Sequence, residues 1–154
     1  MHILIMRHGE AQTFAQTDPL RPLTEFGRQA SIEMGERLKN KGFESIDVAW
    51  VSPYLRAEQT WRALQTHIGA KKVTSEEDIT PYGDAELVAS YIKAFVQVER
   101  PQSLMLVSHL PLVGYLTAEL AVPMQPPMFP TSTVACIEYD PDTGASELSW
   151  MEGV

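Results

Sequence analysis

The apolar stretch Ile3-Leu4-Ile5-Met6, closed by Arg7-His8-Gly9, limits what this chain can fold into more than any other segment. It is short, continuous in its hydrophobicity and ended by glycine, which fits a strand buried on both faces in a helix-covered parallel sheet. A second run of the same kind, Ser103-Leu104-Met105-Leu106-Val107-Ser108-His109, occurs in the second half. Each run delivers an imidazole to its carboxyl end, and open α/β sheets bind ligands in the crevice outside the carboxyl ends of their strands. Two converging histidines with an adjacent arginine, Arg7, suit the capture of a phosphoryl group.

Short apolar runs alternate with longer amphipathic ones along the rest of the chain, which predicts an α/β three-layer sandwich with a mostly parallel central sheet. Strands are expected at 2–7, 47–52, 71–75, 103–108, 133–139 and 146–151, the last two joined by the turn Asp140-Pro141-Asp142-Thr143-Gly144 and therefore antiparallel. Helices are expected at 25–41, 54–68, 84–99 and 111–121. The first opens behind Thr24 as N-cap and closes at Gly42. Ala30, Met34, Leu38 and Lys41 in the first helix, and Leu87, Val88, Tyr91, Ile92 and Phe95 in the third, are expected to face the core. With 154 residues the chain has the size of one domain, 1–154, without a cap domain.

Charge narrows the partners. A formal net charge of −8 argues against nucleic acid, which asks for a cationic face, so any phosphate site must be local. The N-terminal apolar run stops at Arg7, too short for a membrane span and without a cleavage site, so a cytosolic protein with no membrane association is expected. The single cysteine, Cys136, lies in the run Thr133–Ile137 and reads as a small core hydrophobe. The proline-rich loop Pro123–Pro130 falls between the last helix and the fifth strand, near the active end.

The chemistry starts at Arg7-His8-Gly9. A neutral imidazole can attack phosphorus through one ring nitrogen while a backbone carbonyl holds the other N–H, which makes His8 the candidate nucleophile. A lone histidine is more often a buried, hydrogen-bonded one, but here others accompany it. Arg56, in Ser52-Pro53-Tyr54-Leu55-Arg56-Ala57-Glu58-Gln59-Thr60, opens a helix and offers a fork for two phosphoryl oxygens. Arg21, in the loop after the first strand, can reach the same crevice, whereas Arg28 faces solvent. His109 stands just before a helix with Pro111 near its start.

These segments, taken in order, resemble the histidine phosphatase superfamily, which includes cofactor-dependent phosphoglycerate mutases and acid phosphatases. Strand-R-H-G, L-T-x-x-G-x-x-Q-A, S-P-x-x-R-A-x-x-T and S-H-x-P follow one another over nearly the whole chain. Arg21-Pro22-Leu23-Thr24, Thr80-Pro81-Tyr82-Gly83-Asp84 and Ser108–Leu116 are similar to the small bacterial phosphohistidine phosphatases of that family. The resemblance implies a phosphoglycerate mutase-like fold, His8 as nucleophile, Arg7, Arg21 and Arg56 as phosphate ligands, and His109 as a second pocket histidine. It also implies no metal and no other cofactor.

One departure bears on the substrate. Larger monoester-cleaving relatives carry insertions over the site and an acid after the third strand, but the stretch here is Ile79-Thr80-Pro81-Tyr82-Gly83. Asp18 is the first candidate for a general acid, before Glu10, Glu58 and Asp84. An alkoxide leaving group needs that proton, worth about 100- to 10,000-fold, whereas phosphohistidine expels the better leaving group imidazole. The expected activity is therefore dephosphorylation of a histidine-containing phosphotransfer domain by a monomeric enzyme, through phospho-His8. In that cycle a bound dianion would raise the pKa of His109, which would donate a proton, and activity would fall with rising pH. The alternatives are a general small-molecule phosphomonoesterase or mutase, and a non-hydrolytic phosphocarrier or phosphoprotein-binding module.

Overall fold

The computed structural model describes residues 1–154. Six strands form one sheet: β1 (His2–Arg7), β2 (Ser45–Val51), β3 (Gly69–Ser75), β4 (Ser103–Ser108), β5 (Val134–Tyr139) and β6 (Ser146–Glu152), in the order β3-β2-β4-β1-β5-β6. β1 to β4 are parallel, β5 runs antiparallel to β1, and β6 is antiparallel to β5. The four helices are α1 (Glu25–Asn40), α2 (Leu55–Leu64), α3 (Ala85–Glu99) and α4 (Leu112–Leu120). The sandwich expected from the sequence is present, with β5 as the one strand that reverses direction.

Strand alternation divides the core in two. Ile3, Ile5, Leu104, Leu106, Ala135 and Ile137 are buried against α3 and α4. Leu4, Met6, Met105, Val107, Val134 and Cys136 are buried on the other face against α1 and α2. Each fully buried Val, Leu, Ile or Met among them contributes about 1.5–3 kcal/mol. Both faces of β1 and β4 are consumed this way, so the only part of either strand open to chemistry is its end. The pairing register makes that end count: Arg7 lies opposite Ser108, so His8 and His109 leave the sheet side by side. The His8 N–H donates to the Ser108 carbonyl at 3.0 Å, which locks the two exits together.

The helix ends follow their expected chemistry. The Thr24 side chain accepts from the Gly27 N–H, and Asp84 caps α3 by accepting from Leu87. α1 stops in a Schellman arrangement, Gly42 N–H to Lys39 and Phe43 N–H to Leu38, with Gly42 at φ +96. Gly27 of the L-T-x-x-G motif has a steric reason: a Cβ there would lie 2.1 Å from the Glu10 carbonyl oxygen. Only glycine lets α1 come this close to the loop behind His8.

Three details differ from expectation. The buried face of α1 is Gly27, Ser31, Met34, Gly35 and Leu38, with Lys41 exposed, because a 3.6-residue turn drifts off a strict spacing of four. In α3, Val88 and Ile92 are buried but Leu87 and Tyr91 are nearly half exposed, since Ala89 and Val96 complete the packed face. α2 ends at Leu64 rather than 68. Cys136 is fully buried, and burial pushes its thiol up to about 12, as befits a core residue. No helix is long and apolar enough to cross a membrane.

Candidate active site

His8 is 6% exposed and held in one tautomer. Its Nδ1–H donates to the Gly9 carbonyl at 2.6 Å, which leaves Nε2 with a lone pair, and that nitrogen accepts the Arg56 Nε–H at 3.3 Å. Gly9 is itself tethered, its N–H donating to the Thr60 hydroxyl at 2.9 Å, while Thr60 donates to the Arg56 carbonyl. One buried threonine on α2 thus ties the glycine turn after β1 to the arginine that faces His8. Burial, then the charges of Arg56, Arg7 and Arg21, lower the His8 pKa to about 4 against the pull of the Gly9 bond. The imidazole is neutral at pH 7, and the lone pair on its Nε2 is turned toward Arg56.

Arg56 is 3% exposed and spends its guanidinium on two partners. Besides His8 it reaches Asp18, with Nη1 donating to the backbone carbonyl at 2.9 Å and Nη2 to the carboxylate at 3.3 Å. Arg21 donates from Nε to the other Asp18 oxygen at 2.8 Å and from Nη1 to the Gln12 carbonyl. Asp18 begins a short 3-10 turn, Asp18–Leu20, in the loop from β1 to α1. Partial burial works to raise its pKa, but the Arg56 charge and the bonds from Arg21 and Arg56 outweigh this and hold it below the ordinary carboxylate value.

His109, 1% exposed, pairs through Nε2 with the Ser52 hydroxyl at 2.7 Å, and the Tyr54 ring packs edge-on against it at 5.0 Å. The His8 and His109 rings are 5.0 Å apart. Burial, followed by the charges of His8, Arg56, Arg21 and Arg7, drives the His109 pKa down to about 2. Arg7 donates from Nη1 to the Phe129 carbonyl at 2.8 Å, so the proline-rich loop braces it. Burial and then the Arg56 charge lower the Arg7 pKa, a crowding of cations that a bound anion relieves. Arg7 Nε, His109 Nδ1 and the Thr133 hydroxyl are buried without a hydrogen-bond partner. Buried polar groups are rarely left so, and two of these, Arg7 Nε and His109 Nδ1, belong to the residues that flank His8, as a site for an oxyanion requires.

The structure therefore brings Arg7, His8, Arg21, Arg56 and His109 together, as expected. One expectation about protons needs correction. Asp18 is an ionised carboxylate shared by two guanidiniums, which removes it as a proton donor in this state. Without a bound anion His109 is neutral, because burial and the nearby positive charges penalise its protonated form, and the rise expected on binding a dianion would start from that low value. Of the other acids, Glu10 accepts from the Thr24 hydroxyl at 3.0 Å and Asp84 is the α3 cap, while Glu58 lies on α2. Arg28 faces solvent and pairs with Glu25. Sequence reasoning gave no roles to Ser52, Thr60 or the Phe129 carbonyl. The first two stand inside the S-P-x-x-R-A-x-x-T segment, where a strand-end serine and a helical threonine four residues after Arg56 were visible signals. The carbonyl has no signature in sequence.

The depressed histidine pKa values bear on stability. Both groups bind protons more readily unfolded than folded, so stability is full above pH 6.5 and declines as pH falls toward the folded values of about 4 and about 2. At about 1.4 kcal/mol per pH unit, His8 alone should withdraw on the order of 3 kcal/mol by pH 4. Urea unfolding from pH 7.5 to 4.5 is expected to show this loss, and His109→Gln should flatten the slope. A wild-type stability constant across that range would contradict the buried neutral histidines.

Residues 3–87 match the model of the histidine phosphatase superfamily (branch 1). The chain is 40% identical over 152 residues to phosphohistidine phosphatase SixA of Escherichia coli K12, covering 98% of this chain and 92% of that protein. It is 37% identical over 147 residues to the SixA homolog of Haemophilus influenzae, covering 91% and 89%. The solved structure of the protein histidine phosphatase SixA complexed with tungstate superposes with a TM-score of 0.93 at 40% identity, covering 99% of this chain and 97% of that one.

Proposed function

This chain belongs to the histidine phosphatase superfamily, and from that premise we propose that it is a phosphohistidine protein phosphatase working through a phospho-His8 intermediate. The observation that carries this reading is the neutral His8. Its Nδ1–H is fixed on Gly9, and its free Nε2 faces Arg56 beside the unpartnered Arg7 Nε and His109 Nδ1. The related SixA was solved in complex with tungstate, a tetrahedral oxyanion as a phosphoryl group is.

In the first step the His8 Nε2 lone pair forms a bond to phosphorus while the bond from phosphorus to the substrate imidazole nitrogen breaks. The electron pair stays on that nitrogen, and with its distal nitrogen protonated from solvent the leaving imidazole departs neutral. Arg7, Arg21 and Arg56 stabilise charge on the equatorial oxygens, the main demand of phosphoryl transfer. His109 is paired with Ser52 through Nε2, and in the tautomer that carries hydrogen on Nδ1 it is a further neutral donor to a phosphoryl oxygen. His8 now carries phosphorus on Nε2 and hydrogen on Nδ1, so it is an imidazolium braced by Gly9. In the second step water attacks phosphorus, the P–Nε2 bond breaks toward the ring, and inorganic phosphate leaves with the water oxygen while the surplus proton goes to solvent. The same tautomer serves both steps.

Two features favour a protein substrate. Asp18 is not available to protonate an alkoxide, which disfavours phosphate monoesters. The loops around the site expose Phe14, Leu20, Tyr82, Leu110 and Met128, an apolar rim suited to a second protein. A histidine phosphotransfer domain met in the cytoplasm by a monomer with a single domain over 1–154 is the finer form of this proposal. The test compares phosphate release from such a phosphorylated domain with release from an aryl phosphate. We expect kcat/KM for the phosphoprotein to be at least about 100-fold higher, the lower end of what a general acid supplies. Equal turnover of the ester would move the reading to a general phosphomonoesterase, and lasting phospho-His8 without phosphate release would move it to a carrier.

A further inference from the structure

We propose that Asp18 is a resident anion of the phosphoryl pocket, a specificity-determining residue whose carboxylate competes with an incoming phosphoryl group for Arg56. The inference rests on the phosphoryl-site reading above. Its basis is the orientation of Arg56. The Nε–H and Nη2–H of a guanidinium point the same way and form the edge that grips two oxygens of an oxyanion. Here Nε–H is taken by His8 Nε2 at 3.3 Å, and Nη2, the other nitrogen of that edge, is already engaged by the Asp18 carboxylate at 3.3 Å. The second Asp18 oxygen holds Arg21 Nε at 2.8 Å. A phosphoryl group in line with His8 needs the same edge, because the nitrogen that attacks it is one of the two groups now occupying it. A phosphoryl dianion on that edge is brought against the Asp18 carboxylate at Nη2, so the two like-charged groups compete for Arg56.

The surroundings allow the exchange. The Asp18 side chain is 45% exposed, and its 3-10 turn buries no residue, so the carboxylate can swing from Arg56 while keeping Arg21. The backbone carbonyl of Asp18 continues to hold Arg56 Nη1, so the arginine keeps its place. With both histidines neutral, three arginines and one carboxylate leave two net positive charges, the complement of a phosphoryl dianion.

The consequence is selectivity between ligands that share a phosphoryl group. Free phosphate and small esters offer only their oxygens to offset the displacement of Asp18. A phosphoprotein adds contacts with the apolar rim, and binding energy away from the reacting atoms can meet that cost. Asp18 thus weakens retention of product phosphate without barring the protein substrate.

The test measures dissociation constants of inorganic phosphate and of tungstate, by calorimetry on the intact protein, for wild type, Asp18→Asn and Asp18→Glu. Removing the charge in Asp18→Asn should tighten both ligands about tenfold, with the gain shrinking as ionic strength rises. Asp18→Glu, which keeps the charge, should stay within threefold of wild type. Phosphate should also become a correspondingly stronger competitive inhibitor of phosphoprotein turnover in Asp18→Asn. Unchanged or weaker phosphate binding in Asp18→Asn would overturn the proposal, and weaker binding would mark Asp18 as a residue that merely positions Arg56. This outcome is separable from failure of the phosphohistidine reading, which concerns substrate turnover and leaves the phosphate constants untouched.

Discussion

His8→Ala should lose phosphoprotein turnover by at least about 10,000-fold, the scale seen when a catalytic nucleophile is deleted, and should accept no label from a 32P-phosphorylated histidine substrate. The wild type should carry an acid-labile, alkali-stable label on His8 during turnover. The loss follows from geometry: the His8 Nε2 lone pair is the one that Arg56 faces, with Nδ1–H fixed on the Gly9 carbonyl. The variant should also remain folded, and below pH 6 it should lose less stability than wild type, since one buried neutral imidazole no longer resists protonation. Residual labelling in His8→Ala would end the assignment of His8 as nucleophile, and a melting curve taken alongside separates that result from unfolding.

Arg56→Lys should lower kcat by about 1,000-fold or more, a scale comparable to loss of an arginine that stabilises a transferring phosphoryl group. The substitution keeps the positive charge and discards the planar fork. Arg56 bonds His8 through Nε and Asp18 through both terminal nitrogens from a position 3% exposed, and a lysine ammonium cannot reproduce three donors in one plane. Arg56→Ala should be no worse in kcat than Arg56→Lys. If lysine retained activity within tenfold of wild type, the pocket would need charge alone, and the competition between Asp18 and the phosphoryl group would lose its basis. Steady-state kinetics on the phosphoprotein, with phosphate affinity measured in parallel, distinguishes these cases.

The strands that carry the histidines were legible because burial on both faces leaves little freedom in residue choice. Ile3 to Met6 and Leu104 to Val107 could hardly read as anything else, and His8 and His109 stood at their ends. Helix caps were legible for the same local reason, as Thr24 and Asp84 act within a few residues of themselves. The helix faces were less so. Leu87 and Tyr91 are apolar and aligned with Val88 and Ile92, yet exposed, because which part of a broad apolar stripe meets the sheet depends on where the neighbouring helix lies.

The proton chemistry lay further out of reach. Asp18 looked like an acid because it was a carboxylate in the right loop, and only the approach of Arg56, 38 residues along the chain, shows it to be an anion held by cations. The starting charge of His109 was equally hidden, since only its burial among the arginines keeps it neutral without a bound anion. The sequence by itself determined the sheet, the order of the segments and the identity of the groups that converge, since these depend on hydrophobic periodicity and local backbone preference. The tertiary structure alone decided the tautomer of His8, the charge of His109, the brace from Phe129 to Arg7 and the place of Asp18. Ionisation and hydrogen bonding depend on distances of a few ångströms between residues far apart in the chain, and those distances exist only once the core has packed.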